Sequence, residues 1–220
     1  MIEAIYVLGI AAAILVNITA LTLLVLRYIP FPAIARATGI ICVCLVLFSV
    51  EHFVGLGRLS PLCLPLTALS LFVIWSERAR FLDETFTTSE IVFLGALLYG
   101  ALWRLSFPEV GEDNDRLTDF HFVSNYLAGT TLPPVDYWLP YQRLDYYYTF
   151  QHYSAALLGR VFGLGPGASF TFAPIILPAL VLGLAWLGSS SPFSACGSAA
   201  SSSRSWRSPS AEPASRRSFT

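Results

Sequence analysis

Six long apolar stretches constrain this chain more than any other feature of its sequence. They lie near residues 4–26, 37–53, 59–75, 91–107, 147–164 and 168–187. A helix that crosses the hydrocarbon core of a bilayer needs about 20 mostly apolar residues. Since lipid offers no hydrogen bonds, each such stretch satisfies its own backbone amides as a helix. The sequence therefore predicts an all-α, polytopic membrane protein with about six transmembrane helices.

The composition supports the membrane prediction and excludes other classes of protein. Hydrophobic residues make up 55% of the 220 positions and charged residues 12%, whereas soluble chains are about 25% charged. The formal net charge of −1 lacks the basic excess that nucleic-acid binding requires. We therefore expect the lipid bilayer as a partner and no nucleic acid.

The chain divides into a membrane domain, 1–187, and a tail, 188–220. The tail is rich in Ser and Arg and contains no long apolar run. Such a segment cannot bury enough apolar surface to offset the entropy lost on ordering it. We expect the tail to be disordered, and we interpret the abrupt change in composition at its start as a frameshift or a truncation.

The positions of arginine predict the orientation in the membrane. If six helices alternate in direction, five arginines fall on one side: Arg27, Arg36, Arg78, Arg80 and Arg160. Positive charge in short loops favours the cytoplasmic side, and the first three residues of the chain carry no basic side chain. We therefore expect a multi-pass protein of the cell (plasma) membrane with the long loop 108–146 outside.

This outer loop concentrates the acidic residues of the chain. It holds seven of the 14: Glu109, Glu112, Asp113, Asp115, Asp119, Asp136 and Asp145. Clustered acids usually mark a solvated surface, but long loops between membrane helices are often functional. The charge pattern alone leaves both interpretations open.

A short amphipathic helix is predicted within the loop. Leu117, Phe120 and Val123 recur at helical spacing, so we expect this helix to lie along the membrane surface. Asp115 and Asp119 are four residues apart and share one face of it. Two carboxylates so placed could bind a divalent metal ion or divide general-base and electrostatic roles between them.

Three motifs follow one another through the loop. They are Asp119-Phe120-His121-Phe122, then Leu132-Pro133-Pro134-Val135-Asp136-Tyr137-Trp138, then Asp145-Tyr146-Tyr147-Tyr148. In this order they resemble the YYY family (Chlor-Arch YYY domain) of polytopic membrane proteins, which is named for the tyrosine triplet. That family is distantly similar to GT-C glycosyltransferases, which take a sugar from a polyprenyl-phosphate carrier. The resemblance implies transfer of this kind at the outer membrane face.

The resemblance also implies roles for individual residues. Asp119 matches the catalytic or metal-binding carboxylate of GT-C enzymes, with Asp115 or Glu112 as a possible second. If a divalent cation is the cofactor, Asp115 and Asp119 are the candidate ligands. Further candidates would contact the sugar or its lipid phosphate: Arg143, Tyr146, Tyr147, Tyr148, His152 and Trp138. Arg143 suits the phosphate because a guanidinium binds it bidentately.

Two other functions remain open from the sequence. A non-enzymatic scaffold or transporter component could use the acidic loop to recruit a partner, and a truncated chain could be inactive. A transporter places ionisable residues near the middle of the membrane. The centres of the first, third and sixth apolar stretches carry no charge, which favours chemistry at the outer surface over transport.

Overall fold

The computed structural model describes residues 2–107, 114–144 and 149–190, and it is helical throughout its regular elements. The helices are α1 (Ile2–Val25), α2 (Pro32–Val54), α3 (Cys63–Ser76), α4 (Arg78–Phe81), α5 (Glu84–Ser106), α6 (Asn114–Ala128), α7 (Thr149–Phe162) and α8 (Pro166–Ser190). A single 3-10 turn, Ser60–Leu62, precedes α3. The predicted all-α class is therefore confirmed.

Among the described residues, four helices are long and apolar enough to cross a membrane: α1, α2, α5 and α8. The predicted spans near 59–75 and 147–164 correspond to α3 and α7, which have 14 residues each. Helix α3 continues an apolar helical stretch that begins at Ser60, and α7 is described from Thr149, directly after residues 145–148, which lie outside the described ranges. The polytopic architecture is confirmed, and the bounds of these two spans stay predictions. Residues 191–220 lie outside the described ranges, so the disordered tail stays a prediction.

Polar contacts define the two ends of the helix bundle. At one end, named here the α4 end, Arg36 at the start of α2 pairs with Glu90 near the start of α5. At the opposite end, named the α6 end, α2 finishes beside α6 and α7. There the amide of Leu56 donates to the carbonyl of Thr130 over 2.9 Å. Since α5 and α8 pack along each other, both ends belong to one bundle.

The predicted amphipathic helix is present as α6, but it packs against protein as well as facing outward. Val123 and Tyr126 are buried between α6 and α7, where the Tyr126 and Tyr153 rings meet edge to face. Leu117, which the spacing placed on the apolar face, is 51% exposed. The buried side also carries two polar residues, His121 and Asn125. Helices α7 and α8 cover only part of the apolar face of α6. Residues under that contact are buried, and Leu117, outside it, is exposed.

Gly159 lets α7 pack closely against α6 and α8. A Cβ at this position would overlap Ser169 Oγ of α8 and lie 2.7 Å from Leu127 Cδ2 of α6. Overpacking of this kind costs about 1–3 kcal/mol, so we expect Gly159→Ala to lower the thermal unfolding midpoint. The matched control is Gly95→Ala in α5, where a Cβ meets nothing within 4 Å and alanine favours the helix. Circular dichroism in detergent measures both; equal midpoints would contradict the close approach.

Candidate functional site

Asp119 and His152 meet at the α6 end of the bundle. Asp119 Oδ1 lies 2.8 Å from His152 Nε2, although the residues are 33 positions apart. An ionised carboxylate can only accept a hydrogen bond, so the imidazole N–H donates to it. The Asp119 side chain is 40% exposed and that of His152 only 2%. The pair therefore has an accessible acid held by a buried base.

Aromatic side chains pack beside both members of this pair. The Phe122 ring lies 4.9 Å from the imidazole of His152, centroid to centroid. Phe120 meets Phe170 of α8 edge to face at 5.8 Å, which attaches the same turn of α6 to a membrane-spanning helix. These contacts fix the backbone that carries Asp119 while its carboxylate stays open to solvent.

A second histidine–aspartate pair lies on another face of α6. His121 Nε2 is 2.9 Å from Asp136 Oδ1 and 2.9 Å from Asn125 Nδ2. The ring of Trp138 stacks on the imidazole with centroids 3.8 Å apart and an interplanar angle of 10°. Since successive helical residues are about 100° apart, His121 faces about 200° away from Asp119. Trp138, a predicted substrate contact, is thus held on a different face from the predicted catalytic acid.

Asp136 organises the loop that follows α6. Its Oδ1 accepts from the amide of Trp138 at 2.8 Å, and its own amide donates to the carbonyl of Gln142 at 3.0 Å. The amide of Leu144 donates to the carbonyl of Pro134 at 2.9 Å, which closes the loop. Sequence reasoning gave Asp136 no role. Its position between a proline pair and two aromatic residues was the available signal, since Asp often bonds backbone amides in turns.

The contacts of Asp136 predict a pH dependence. Burial alone would raise its pKa, but hydrogen bonds from His121 and from the amides of Trp138 and Leu139 outweigh it, and the pKa lies below the usual 3.8. A lowered pKa contributes stability above the unfolded value, and that contribution disappears as the pH falls through the folded one. We expect the unfolding midpoint to drop more below pH 3.8 in the wild type than in Asp136→Asn. Parallel acid titrations of the midpoint measure this, and identical drops would contradict it.

A third polar cluster is buried where α7 meets the end of α2. Arg160 Nη1 donates to Glu51 Oε2 at 2.7 Å, and Nη2 pairs with Oε1 of the same carboxylate. The hydroxyl of Tyr153 also donates to Glu51 Oε2 at 2.7 Å. All three residues are buried. Glu51 and Arg160 are 109 positions apart in the chain, so the sequence alone could not predict this cluster.

Of the remaining predicted site residues, the structure describes Asp115 and Arg143. Asp115 lies exposed on α6 one turn before Asp119, and Arg143 is exposed in the loop after it. Glu112 and the triplet Tyr146, Tyr147 and Tyr148 fall outside the described residues. Within the described ranges, no three His, Cys, Asp or Glu side chains converge as metal ligands. A divalent cation at Asp115 and Asp119 stays a prediction.

The helices and their apolar surfaces define an integral membrane protein that crosses the bilayer several times. The model of the family described as "Uncharacterized membrane protein (DUF2298)" matches residues 40–190. Because that match covers more than half of the chain, the protein belongs to this family of membrane proteins. No curated protein and no solved structure matches the sequence.

Proposed function

We propose that this protein is a YYY-type, GT-C-like glycosyltransferase that transfers a sugar from a polyprenyl-phosphate carrier at the outer face of the plasma membrane. The observation that supports this most is the state of Asp119. Its carboxylate is accessible, and the buried His152 holds it at 2.8 Å. General bases are positioned in this way, with one end fixed and the other open to substrate.

In the proposed reaction Asp119 takes the proton from a hydroxyl of the acceptor. The hydroxyl oxygen forms a bond to the anomeric carbon of the donor sugar. The bond between that carbon and the phosphate oxygen breaks, and its electron pair leaves with the polyprenyl phosphate. The products are a glycosylated acceptor, the lipid phosphate and a protonated Asp119, which returns its proton to water.

His152 has a positioning role in this proposal. Its N–H donates to one oxygen of Asp119, which fixes the direction in which the carboxylate points. His152 is buried beside Phe122, so it binds the carboxylate from the protein side and leaves the exposed side of Asp119 to the substrate. A preorganised acid loses less entropy when the acceptor binds.

Basic and aromatic side chains complete the proposed substrate site. Arg143 is exposed in the loop and can approach the departing phosphate, whose charge a guanidinium stabilises bidentately. Asp115, one turn before Asp119, would share a divalent cation with it if the reaction uses one. A lipid carrier that extends around α6 would reach Trp138, a residue that is 55% exposed.

The proposal is tested with purified protein in lipid vesicles. Polyprenyl-phosphate sugars with a radiolabelled sugar are supplied as donors, with and without a divalent cation, together with a lipid extract as the source of acceptor. We expect transfer of the label from at least one donor and release of polyprenyl phosphate. If monodisperse, helical protein releases lipid phosphate from none of the donors, the proposal is contradicted.

A further inference from the structure

We propose that the C-terminal end of α2 positions both α6 and α7 and so holds Asp119 against His152, with Glu51 and Arg160 as the positioning residues. The two members of the Asp119–His152 pair lie on different helices, α6 and α7. These helices pack against each other and against α8, and both are also attached to the end of α2. The inference rests on the proposed function only for the use made of this pair.

The attachment of α7 to α2 is polar and highly directional. Arg160 forks over the Glu51 carboxylate with two nitrogens, and its Nε and Nη2 also donate to the carbonyl of Gly57 at 3.0 and 2.7 Å. A guanidinium bound at so many atoms permits one orientation, because the fork geometry is planar and rigid. The end of α7 is thereby fixed to residues 51–57.

A second contact fixes α7 beside His152 itself. Tyr153, the next residue, donates from its hydroxyl to Glu51 Oε2 at 2.7 Å. Its ring also meets Phe48 of α2 edge to face at 5.1 Å. Tyr153 and Arg160 are seven residues apart, about 10 Å along the helix, and both reach Glu51. One carboxylate therefore holds α7 at two points along its length.

The same end of α2 also holds α6. The amide of Leu56 donates to the carbonyl of Thr130, just after α6 ends, at 2.9 Å. Gly55 makes this approach possible, since it adopts a φ of 88° and a Cβ there would lie 2.6 Å from the Thr130 oxygen. Helices α6 and α7 thus both attach to residues 51–57, and the distance from Asp119 to His152 depends on that turn.

Cross-linking measures this distance directly. Asp119→Cys and His152→Cys are introduced together into a chain whose four native cysteines are replaced by serine or alanine, and a short bifunctional thiol reagent is added. We expect Glu51→Gln to slow the intramolecular cross-link by at least about fivefold, because Arg160 then lacks its counter-charge and the fork no longer fixes α7. Tyr153→Phe, which leaves the ion pair in place, should slow it about twofold.

Glu90→Gln is the matched control. Glu90 pairs with the buried Arg36 and connects α2 to α5 at the α4 end. Glu90→Gln therefore breaks a similar ion pair at a site away from α6 and α7. We expect its cross-linking rate to match that of the unsubstituted background. Equal slowing by Glu51→Gln and Glu90→Gln, or no slowing by Glu51→Gln, would overturn the inference.

Two further measurements keep the outcome decisive. If the Glu51→Gln variant is not monodisperse, the cross-linking rate is measured instead in Tyr153→Phe and in the neutral double variant Glu51→Gln/Arg160→Gln. Unchanged rates in both variants would overturn the inference. Cross-linking requires no sugar donor. A wild-type protein without transferase activity would therefore contradict the proposed function while leaving the positioning result intact.

Discussion

Asp119→Asn is expected to reduce sugar transfer by about 10²–10⁴-fold. Asparagine keeps the size of the side chain and an oxygen that can accept from His152, but it cannot take the proton of the acceptor hydroxyl. Because the Asp119 side chain is 40% exposed, the substitution should leave the fold and the unfolding midpoint nearly unchanged. The measurement is the initial rate of label transfer from the active polyprenyl-phosphate donor, at saturating donor and acceptor.

The control for this prediction is Glu84→Gln. Glu84 is an exposed acid in the first turn of α5 at the α4 end, so it removes one carboxylate far from the proposed site. We expect its rate to equal that of the wild type. His152→Ala should give an intermediate loss, since Asp119 stays chemically competent but is no longer held. A transfer rate for Asp119→Asn within about threefold of the wild type would exclude general-base catalysis by this residue, which contributes at least about 100-fold.

The two histidine–aspartate pairs that involve α6 differ in how exposed and how fully hydrogen-bonded their carboxylates are. Asp136 accepts from His121 and from backbone amides, and its side chain is 16% exposed. Its lone pairs are used to hold a loop in place. Asp119 has a histidine on one oxygen and remains open to solvent. If the protein acts as proposed, Asp119 is therefore the carboxylate available for reaction, whereas Asp136 holds the loop.

Local sequence patterns predicted the elements of this protein well. Apolar stretches of about 20 residues gave α1, α2, α5 and α8, because the bilayer demands one length and one composition. The helical spacing around Phe120 gave α6. The resemblance of the motifs named Asp119 as a catalytic candidate and His152 as a substrate contact, and the structure brings the two within hydrogen-bond distance. These inferences need only neighbouring residues.

Contacts between distant segments were not predictable in this way. The sequence paired Asp119 with Asp115, four residues away. The contact of Asp119 with His152 arises because α6 packs against α7. Arg160 was counted as a loop charge that reports orientation, whereas it is buried on Glu51. A single sequence records no distance between residues 109 positions apart.

Arg160→Met is expected to cause the largest loss of stability of any substitution considered. It leaves Glu51 buried without its counter-charge, and breaking a buried ion pair costs about 3–5 kcal/mol of unfolding free energy. The donors to the Gly57 carbonyl disappear as well. Unfolding in mixed micelles with an increasing fraction of denaturing detergent, followed by circular dichroism, measures the change.

Two comparisons identify the cause of that loss. The double variant Glu51→Gln/Arg160→Met removes both charges, and we expect it to recover most of the stability, because the main cost is the unpaired charge and not the missing contact. Arg27→Met breaks the pair with Glu77 at the α4 end, where the Arg27 side chain is 47% exposed, and should cost about 1 kcal/mol or less. If Arg160→Met and Arg27→Met lowered the unfolding free energy equally little, the Glu51 carboxylate would have to be solvated. The end of α2 would then not hold α7 through a buried ion pair.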